Sequence, residues 1–133
     1  MKELTKAEEQ VMQILWQMEK GFVNDVLDSF PEPRPAYNTV STIIRILEKK
    51  GFIGHKAFGK TYEYFPLIGK KEYTSGYFKR FIKNYFGNSY PSLASFLAND
   101  SNVSIQDLEE MKALIEEEIQ KQKNHVTSKC KTI

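Results

Sequence analysis

Between residues 38 and 45 the chain runs "NTVSTIIR", which sets four short hydrogen-bonding side chains, Asn38, Thr39, Ser41 and Thr42, in five positions, with Arg45 one turn further on. Continued to Leu47, the stretch places Val40, Ile43, Ile44 and Leu47 at the i, i+3, i+4, i+7 spacing of a buried helical stripe. The polar side chains then occupy the opposite face. A face that meets only water is usually filled with Glu, Lys and Gln, whereas Asn, Thr and Ser are mediocre helix formers. Their use is to donate and accept hydrogen bonds at close range. The major groove of DNA suits that combination: Asn pairs with adenine, hydroxyls reach bases or phosphates, and methyl groups touch thymine methyls. Arg45 would reach a guanine or a phosphate, and Tyr37 adds a phenolic hydroxyl for a phosphate. Taken singly, Asn38 or Thr39 is equally well read as a helix cap, and Ser41 or Thr42 as plain solvent face. As a set ahead of a basic segment, they are a nucleic-acid signal.

Other chemistries lack their residues. The one cysteine, Cys130, permits neither an intramolecular disulfide nor a multi-cysteine metal site, and His55 and His125 have no ligand partner at metal spacing. Gly-rich phosphate loops, HExxH and GxSxG are missing from the sequence. No enzyme activity, metal or cofactor is expected. The 133 residues, 27% charged and 41% hydrophobic, have the composition of an ordinary globular protein. The opening "MKELTKAEEQ" contains no apolar leader, and no run approaches the roughly 18 apolar residues of a membrane span. A cytoplasmic protein without membrane insertion is the expectation. Net charge is only +2, but residues 38–66 hold Arg45, Lys49, Lys50, Lys56 and Lys60 against Glu48 and Glu63, a local +3. Solvated faces often carry as much, so the excess supports a phosphate-contacting surface without establishing one.

The polar face needs a scaffold, and the flanking sequence describes one. "TKAE" is a capping-box pattern, with Thr5 as N-cap and Glu8 three residues on, and Val11, Ile14, Leu15 and Met18 continue it as an amphipathic helix that Gly21 is expected to end. A short second helix is expected from Asn24 or Asp25 through Phe30, before "PEPRP" interrupts. The third helix begins at Tyr37 or Asn38 and stops at Gly51, a left-handed C-terminal position. Directly after it, "FIGHKAFGKTYEYFP" reads as two strands around a Gly59-Lys60 turn, with Lys56 and Lys60 beside the DNA backbone if this hairpin serves as a wing. Three helices followed by a hairpin is the layout of a winged helix-turn-helix domain, assigned here to residues 1–68.

Past Pro66 the texture changes. Tyr73, Tyr77, Phe78, Phe81, Ile82, Tyr85 and Phe86 fall at helical spacing, "PSLASFLAND" gives a short helix with Leu93, Phe96 and Leu97 inward, and Ser104 with Asp107 opens a last helix by a second capping-box pattern. Ile105, Leu108, Met111, Leu114, Ile115 and Ile119 stripe that helix opposite Glu109, Glu110, Glu116 and Glu117. Roughly 55 residues in three helices bury too little surface to stand alone, which predicts a dimerisation domain over residues 69–123. Its expected interface is Tyr77, Phe78, Phe81, Ile82, Tyr85, Leu93, Phe96, Leu97, Leu108, Met111 and Ile115. The alternative is that these helices fold back on the first domain. Residues 124–133 read as a flexible tail.

The runs "LTKAEEQVMQILWQMEKGFVNDVLDSF" and "NTVSTIIRILEKKGFIGHKAFGKTYEYFPL" closely resemble the penicillinase-repressor family of bacterial transcription regulators, the BlaI, MecI and CopY type, and the similarity extends over roughly residues 3–122. The most telling pieces are the "LT.AE..VM.ILW" opening, the "TV.T.I..L..KG" third helix and the "F....Y.Y.P" wing. The resemblance implies a homodimeric repressor with an N-terminal winged helix and a C-terminal three-helix dimerisation domain, bound to dyad-symmetric operators in double-stranded DNA. For the antibiotic-responsive branch it implies inactivation by a membrane sensor with a metalloprotease domain, which triggers cleavage in the dimerisation region. Three features depart from the family pattern. The cysteine-rich copper site of one branch is missing. Where antibiotic-responsive members are cut at an Asn-Phe bond, this chain has Ser95, Phe96 and Leu97. Many relatives carry Arg at the position of Ile46, whereas here the arginine is Arg45, about 100° around the helix. The expected protein is thus mainly α with a small β-hairpin wing, and the expected function is transcriptional repression by DNA binding. A winged-helix module for protein partners is the alternative, since winged helices serve that purpose too.

Overall fold

The computed structural model describes residues 3–131, with side chains through His125. Six helices and one hairpin follow in the order α1 (Lys6–Met18), α2 (Val23–Asp28), α3 (Tyr37–Lys49), β1 (Ile53–Phe58), β2 (Thr61–Pro66), α4 (Lys70–Phe86), α5 (Tyr90–Ala98) and α6 (Ile105–Lys131). The chain divides into two compact units, one ending at Phe81 and the other beginning at Ile82.

The first unit is a winged helix. Thr5 and Glu8 form the expected capping box at the start of α1, each side chain bonding the other's backbone N–H. Val11, Met12 and Leu15 of α1 are fully buried and meet Val26 of α2, Val40, Ile44 and Leu47 of α3, and Phe52, Ile53 and Tyr64 from the hairpin region. Fully burying one such aliphatic side chain contributes about 1.5–3 kcal/mol, so this shared cluster fixes α3 against its neighbours. At the end of α3, Gly51 takes φ +84°; its N–H bonds the Glu48 carbonyl while that of Phe52 bonds Leu47. These two bonds make a Schellman stop, and they send the chain straight into β1.

Strands β1 and β2 pair antiparallel from Ile53↔Pro66 to Phe58↔Thr61 around the Gly59-Lys60 turn, as the sequence predicts. Gly21 differs from its expected role. Helix α1 already ends at Met18 with Glu19 at φ +71°, and Gly21 instead bridges Tyr64 through two backbone bonds of 2.9 and 2.8 Å. The bridge ties the wing to the α1–α2 connection. A Cβ there would lie 2.6 Å from the Met18 sulfur and 3.3 Å from the Asp25 Cβ, so close packing favours glycine.

The first half of α4 also belongs to this unit. Tyr73 is buried against Trp16 and Phe52, and the Trp16 indole donates to the Ile68 carbonyl at 2.9 Å. The compact unit extends to Phe81, and Tyr73 near the start of α4 joins the N-terminal core.

The second unit contains the rest of α4 with α5 and α6. Ser104 and Asp107 exchange backbone bonds of 3.2 and 3.0 Å at the start of α6, the second capping box expected. Phe86 meets Phe96 edge to face at 5.8 Å. Among the described residues from Ile82 onward, Ile82 alone is buried. Helix α6 runs past the end expected near residue 123, since 124–131 contain neither Gly nor Pro to stop it. The remainder of the expected tail, residues 132–133, and the side chain of Cys130 lie outside the described residues. Among the described residues no helix is long and apolar enough to cross a membrane.

Candidate nucleic-acid interface

Helix α3 turns its buried stripe inward and presents Tyr37, Asn38, Thr39, Thr42, Arg45 and Ile46 to solvent, with Ser41 half-buried. At about 100° per residue, Tyr37, Ser41, Arg45 and Glu48 line one edge of this face, Asn38, Thr42 and Lys49 its centre, and Thr39 and Ile46 the other edge. The first edge borders the wing. Tyr37, Ser41, Arg45 and Glu48 line a groove of about 380 Å³ together with Asn24 from α2 and Lys60, Thr61 and Tyr62 from the hairpin.

The polar side chains are partly organised by their neighbours. Arg45 donates to the Ser41 hydroxyl at 3.1 Å, and the Thr42 hydroxyl donates to the Asn38 carbonyl at 2.8 Å. Neither Asn38 nor Thr39 caps the helix, because Ala36 is the N-cap residue and makes no side-chain capping bond. Both side chains therefore lie within the first helical turn, with the backbone N–H groups of that turn at the exposed end.

Lys60 sits in the wing turn, next to Gly59 at φ +63°. The Thr61 hydroxyl closes this turn on the Phe58 carbonyl at 2.9 Å. Lys56 is exposed on β1 with its ammonium 5.3 Å from the Phe58 ring centre, inside cation–π range. Phe58 in turn meets Phe22 edge to face at 5.9 Å, which supports the wing from the α2 side.

A brace absent from the sequence reading joins wing and helix. His55 of β1 bonds Glu48 of α3 through Nδ1 and stacks on Tyr62 of β2 at 4.3 Å between ring centres. The two-residue turn makes the hairpin register readable, so His55 and Tyr62 can be placed on one face from sequence. Glu48 cannot: its reach to His55 depends on how the chain folds back after Gly51. Buried beneath them, Tyr64 has its hydroxyl pushed above the ordinary value by burial and by the Glu48 charge, with Arg45 opposing, so it stays neutral.

Helix α3 is also anchored at its far end. Lys50 places its ammonium 2.7 Å from both carboxylate oxygens of Glu8, which is 4% exposed. Burial pushes the Glu8 carboxyl up, but the bonds from Lys50 and Thr5 and the Lys50 charge outweigh it and leave it below the ordinary value.

All eight expected DNA-contact residues, Tyr37, Asn38, Thr39, Ser41, Thr42, Arg45, Lys56 and Lys60, thus belong to α3 or the wing of one unit. A sequence profile of the penicillinase repressor family matches residues 4–117. The chain belongs to the penicillinase repressor family. Relatives include the methicillin resistance regulatory protein MecI of Mammaliicoccus sciuri, 26% identical over 114 residues covering 85% of this chain and 93% of that protein. The penicillinase repressor of Bacillus licheniformis is 25% identical over 117 residues, covering 86% and 91% respectively. Among solved structures, the DNA-binding domain of the repressor BlaI matches with a TM-score of 0.47 and 27% identity, covering 55% of this chain and 94% of that one.

The expected dimer residues fall into three groups. Tyr77, Phe78 and Phe81 lie on the part of α4 that belongs to the first unit, where Phe78 stacks on Phe81 at 6.0 Å. Tyr85, Phe96 and Ile115 are exposed, while Leu93, Leu97, Leu108 and Met111 are half-buried. Ile82 is buried within the chain at 1% exposure and so offers no surface to a partner. Apolar side chains occur around most of α4, and their spacing alone does not tell its inner face from its outer one.

Proposed function

We propose that this family member is a DNA-binding transcriptional repressor that acts as a homodimer on dyad-symmetric operators. The observation carrying the DNA-binding reading is the outward face of α3, a bed of short polar side chains bordered by Arg45 and a cationic wing. Its first three turns would enter the major groove, with the exposed N–H groups of the first turn near a phosphate. Lys56 and Lys60 would follow the backbone and release counterions. The repressor names of the relatives support the same reading.

Dimerisation is supported by the scarcity of buried side chains beyond Phe81. Tyr85, Tyr90, Phe96, Ile105, Leu114 and Ile115 are each more than half exposed. Apolar surface on this scale favours association, and a second copy presents the same surface under twofold symmetry. Two linked readers bind a two-part operator far more tightly than one. Cleavage near Ser95, Phe96 and Leu97 would damage the proposed dimer domain, and α5, which has no buried residue, would open readily to a protease. A membrane sensor with a metalloprotease domain is the proposed trigger. Immunoblots of induced cells should show shortened chain; intact chain throughout derepression would remove the proteolytic step.

The deciding experiment is a fluorescence-anisotropy titration of the full chain with the promoter DNA preceding its own gene, at two salt concentrations and against scrambled competitor. Selective, salt-sensitive binding by two chains per site is expected. Equal weak binding to both DNAs, followed by failure to enrich any duplex from a random pool, would overturn the reading in favour of a protein-binding winged helix.

A further inference from the structure

Ile46 is 41% exposed on the outward face of α3, whereas its neighbour Leu47 is fully buried in the core. It cannot belong to the inward stripe, which Val40, Ile44 and Leu47 already fill. A β-branched residue is also a poorer helix former than the Lys, Glu or Gln usual at an exposed position. Its setting is not random. Thr39 and Ile46 form the side of the face away from the wing, and Thr42, at the centre of the face, lies one turn before Ile46 on its inner flank. The Thr42 hydroxyl proton is committed to the Asn38 carbonyl, which leaves the γ-methyl as the apolar group of this exposed side chain. Arg45 and Ser41, bonded to each other, occupy the wing side. The recognition face thus has a hydrogen-bonding edge and an edge bearing methyl groups.

In the major groove only one base presents an apolar group at its edge, the 5-methyl of thymine. Against adenine or cytosine, Ile46 would cover an amino group without satisfying it, and against guanine it would cover two acceptors. Resting on the DNA-binding reading above, we propose that Ile46 is a specificity-determining residue that reads a thymine methyl in each half-site, with Thr42 beside it. From Thr42 to Ile46 the helix rises about 6 Å, roughly two base steps, so the pair spans positions about two base pairs apart in the half-site.

The test uses the full chain to enrich a duplex from a random pool, then replaces each thymine in turn by deoxyuridine, which deletes only the methyl group. Wild-type protein should lose about fourfold affinity for one such replacement per half-site, and roughly fifteenfold when both symmetric positions are changed. Ile46→Ala, at an exposed position and with a better helix former, should bind both forms equally at that position. If selective, salt-dependent binding is retained but every deoxyuridine replacement affects wild type and Ile46→Ala alike, the inference is overturned and the repressor reading stands. An enriched duplex with no thymine opposite the Ile46 edge overturns it equally. If no duplex is enriched, the DNA-binding reading itself fails, and this inference with it.

Discussion

Replacing Glu8 with glutamine would test how α3 is held in place. The carboxylate is 4% exposed, takes two 2.7 Å bonds from Lys50, and accepts the Thr5 backbone N–H at 3.3 Å. Glutamine keeps the shape and can keep the Thr5 bond, but it removes the charge and turns one acceptor facing the ammonium into a donor. A hydrogen bond to a charged group contributes about 1.5–3 kcal/mol, and the Lys50 side chain retains 23% exposure through which water can replace the lost partner. A loss of about 2 kcal/mol follows, or on the order of 8–16 °C in Tm for a unit of this size. The effect should depend on pH with a definite sign. Burial raises the Glu8 pKa, but Lys50 and Thr5 lower it by more and leave it below the ordinary carboxylate value in the folded protein. The stabilisation is therefore complete above the unfolded value and disappears as pH falls through the folded one. Thermal unfolding followed by circular dichroism, at fixed protein concentration, should show a large gap between wild type and Glu8→Gln at pH 7 that narrows progressively as pH falls below the ordinary carboxylate range. Lys50→Met should not add to Glu8→Gln, because both remove one interaction. A gap below about 0.5 kcal/mol at pH 7, or one that does not narrow at all as pH falls below the ordinary carboxylate range, would refute the clamp.

Three further outcomes follow from the interface. Lys60→Ala should reduce the slope of log affinity against log salt by about 0.9 per protomer, read from anisotropy titrations across a salt series, and an unchanged slope would place Lys60 away from phosphate. Thr39→Ala and Thr42→Ala should weaken operator binding by on the order of three- to tenfold while sedimentation still shows dimers; unaltered affinity in both would remove the base-reading role. Ile115→Asp should raise the dimer dissociation constant by at least tenfold in analytical ultracentrifugation, and DNA affinity should fall only through that route. An unchanged dimer would count against the proposed interface on α6.

Much of this protein could be read from its order of residues, because the relevant signals are local. The Thr5 to Glu8 cap, the Val40 to Leu47 stripe, the Gly51 stop and the Gly59-Lys60 turn each specify backbone geometry within a few residues, and the structure contains all four. Together they identify α3 and its polar face. Sequence also supplied the residue types on that face, which carry the proposed chemistry.

Contacts between distant residues were decided by tertiary structure. Gly21 looked like a helix stop, but its backbone pairs with Tyr64, 43 positions away, a partner that exists only once the wing has folded back. Tyr73 looked like part of a separate domain, yet it completes the first core against Trp16 and Phe52. The Glu48 brace to His55 and the Lys50 bond to Glu8 likewise require elements that periodicity does not bring together. The physical reason is the same in each case. Spacing along a helix or strand fixes which side chains share a face, but which face is buried, and against what, is settled only when the elements pack.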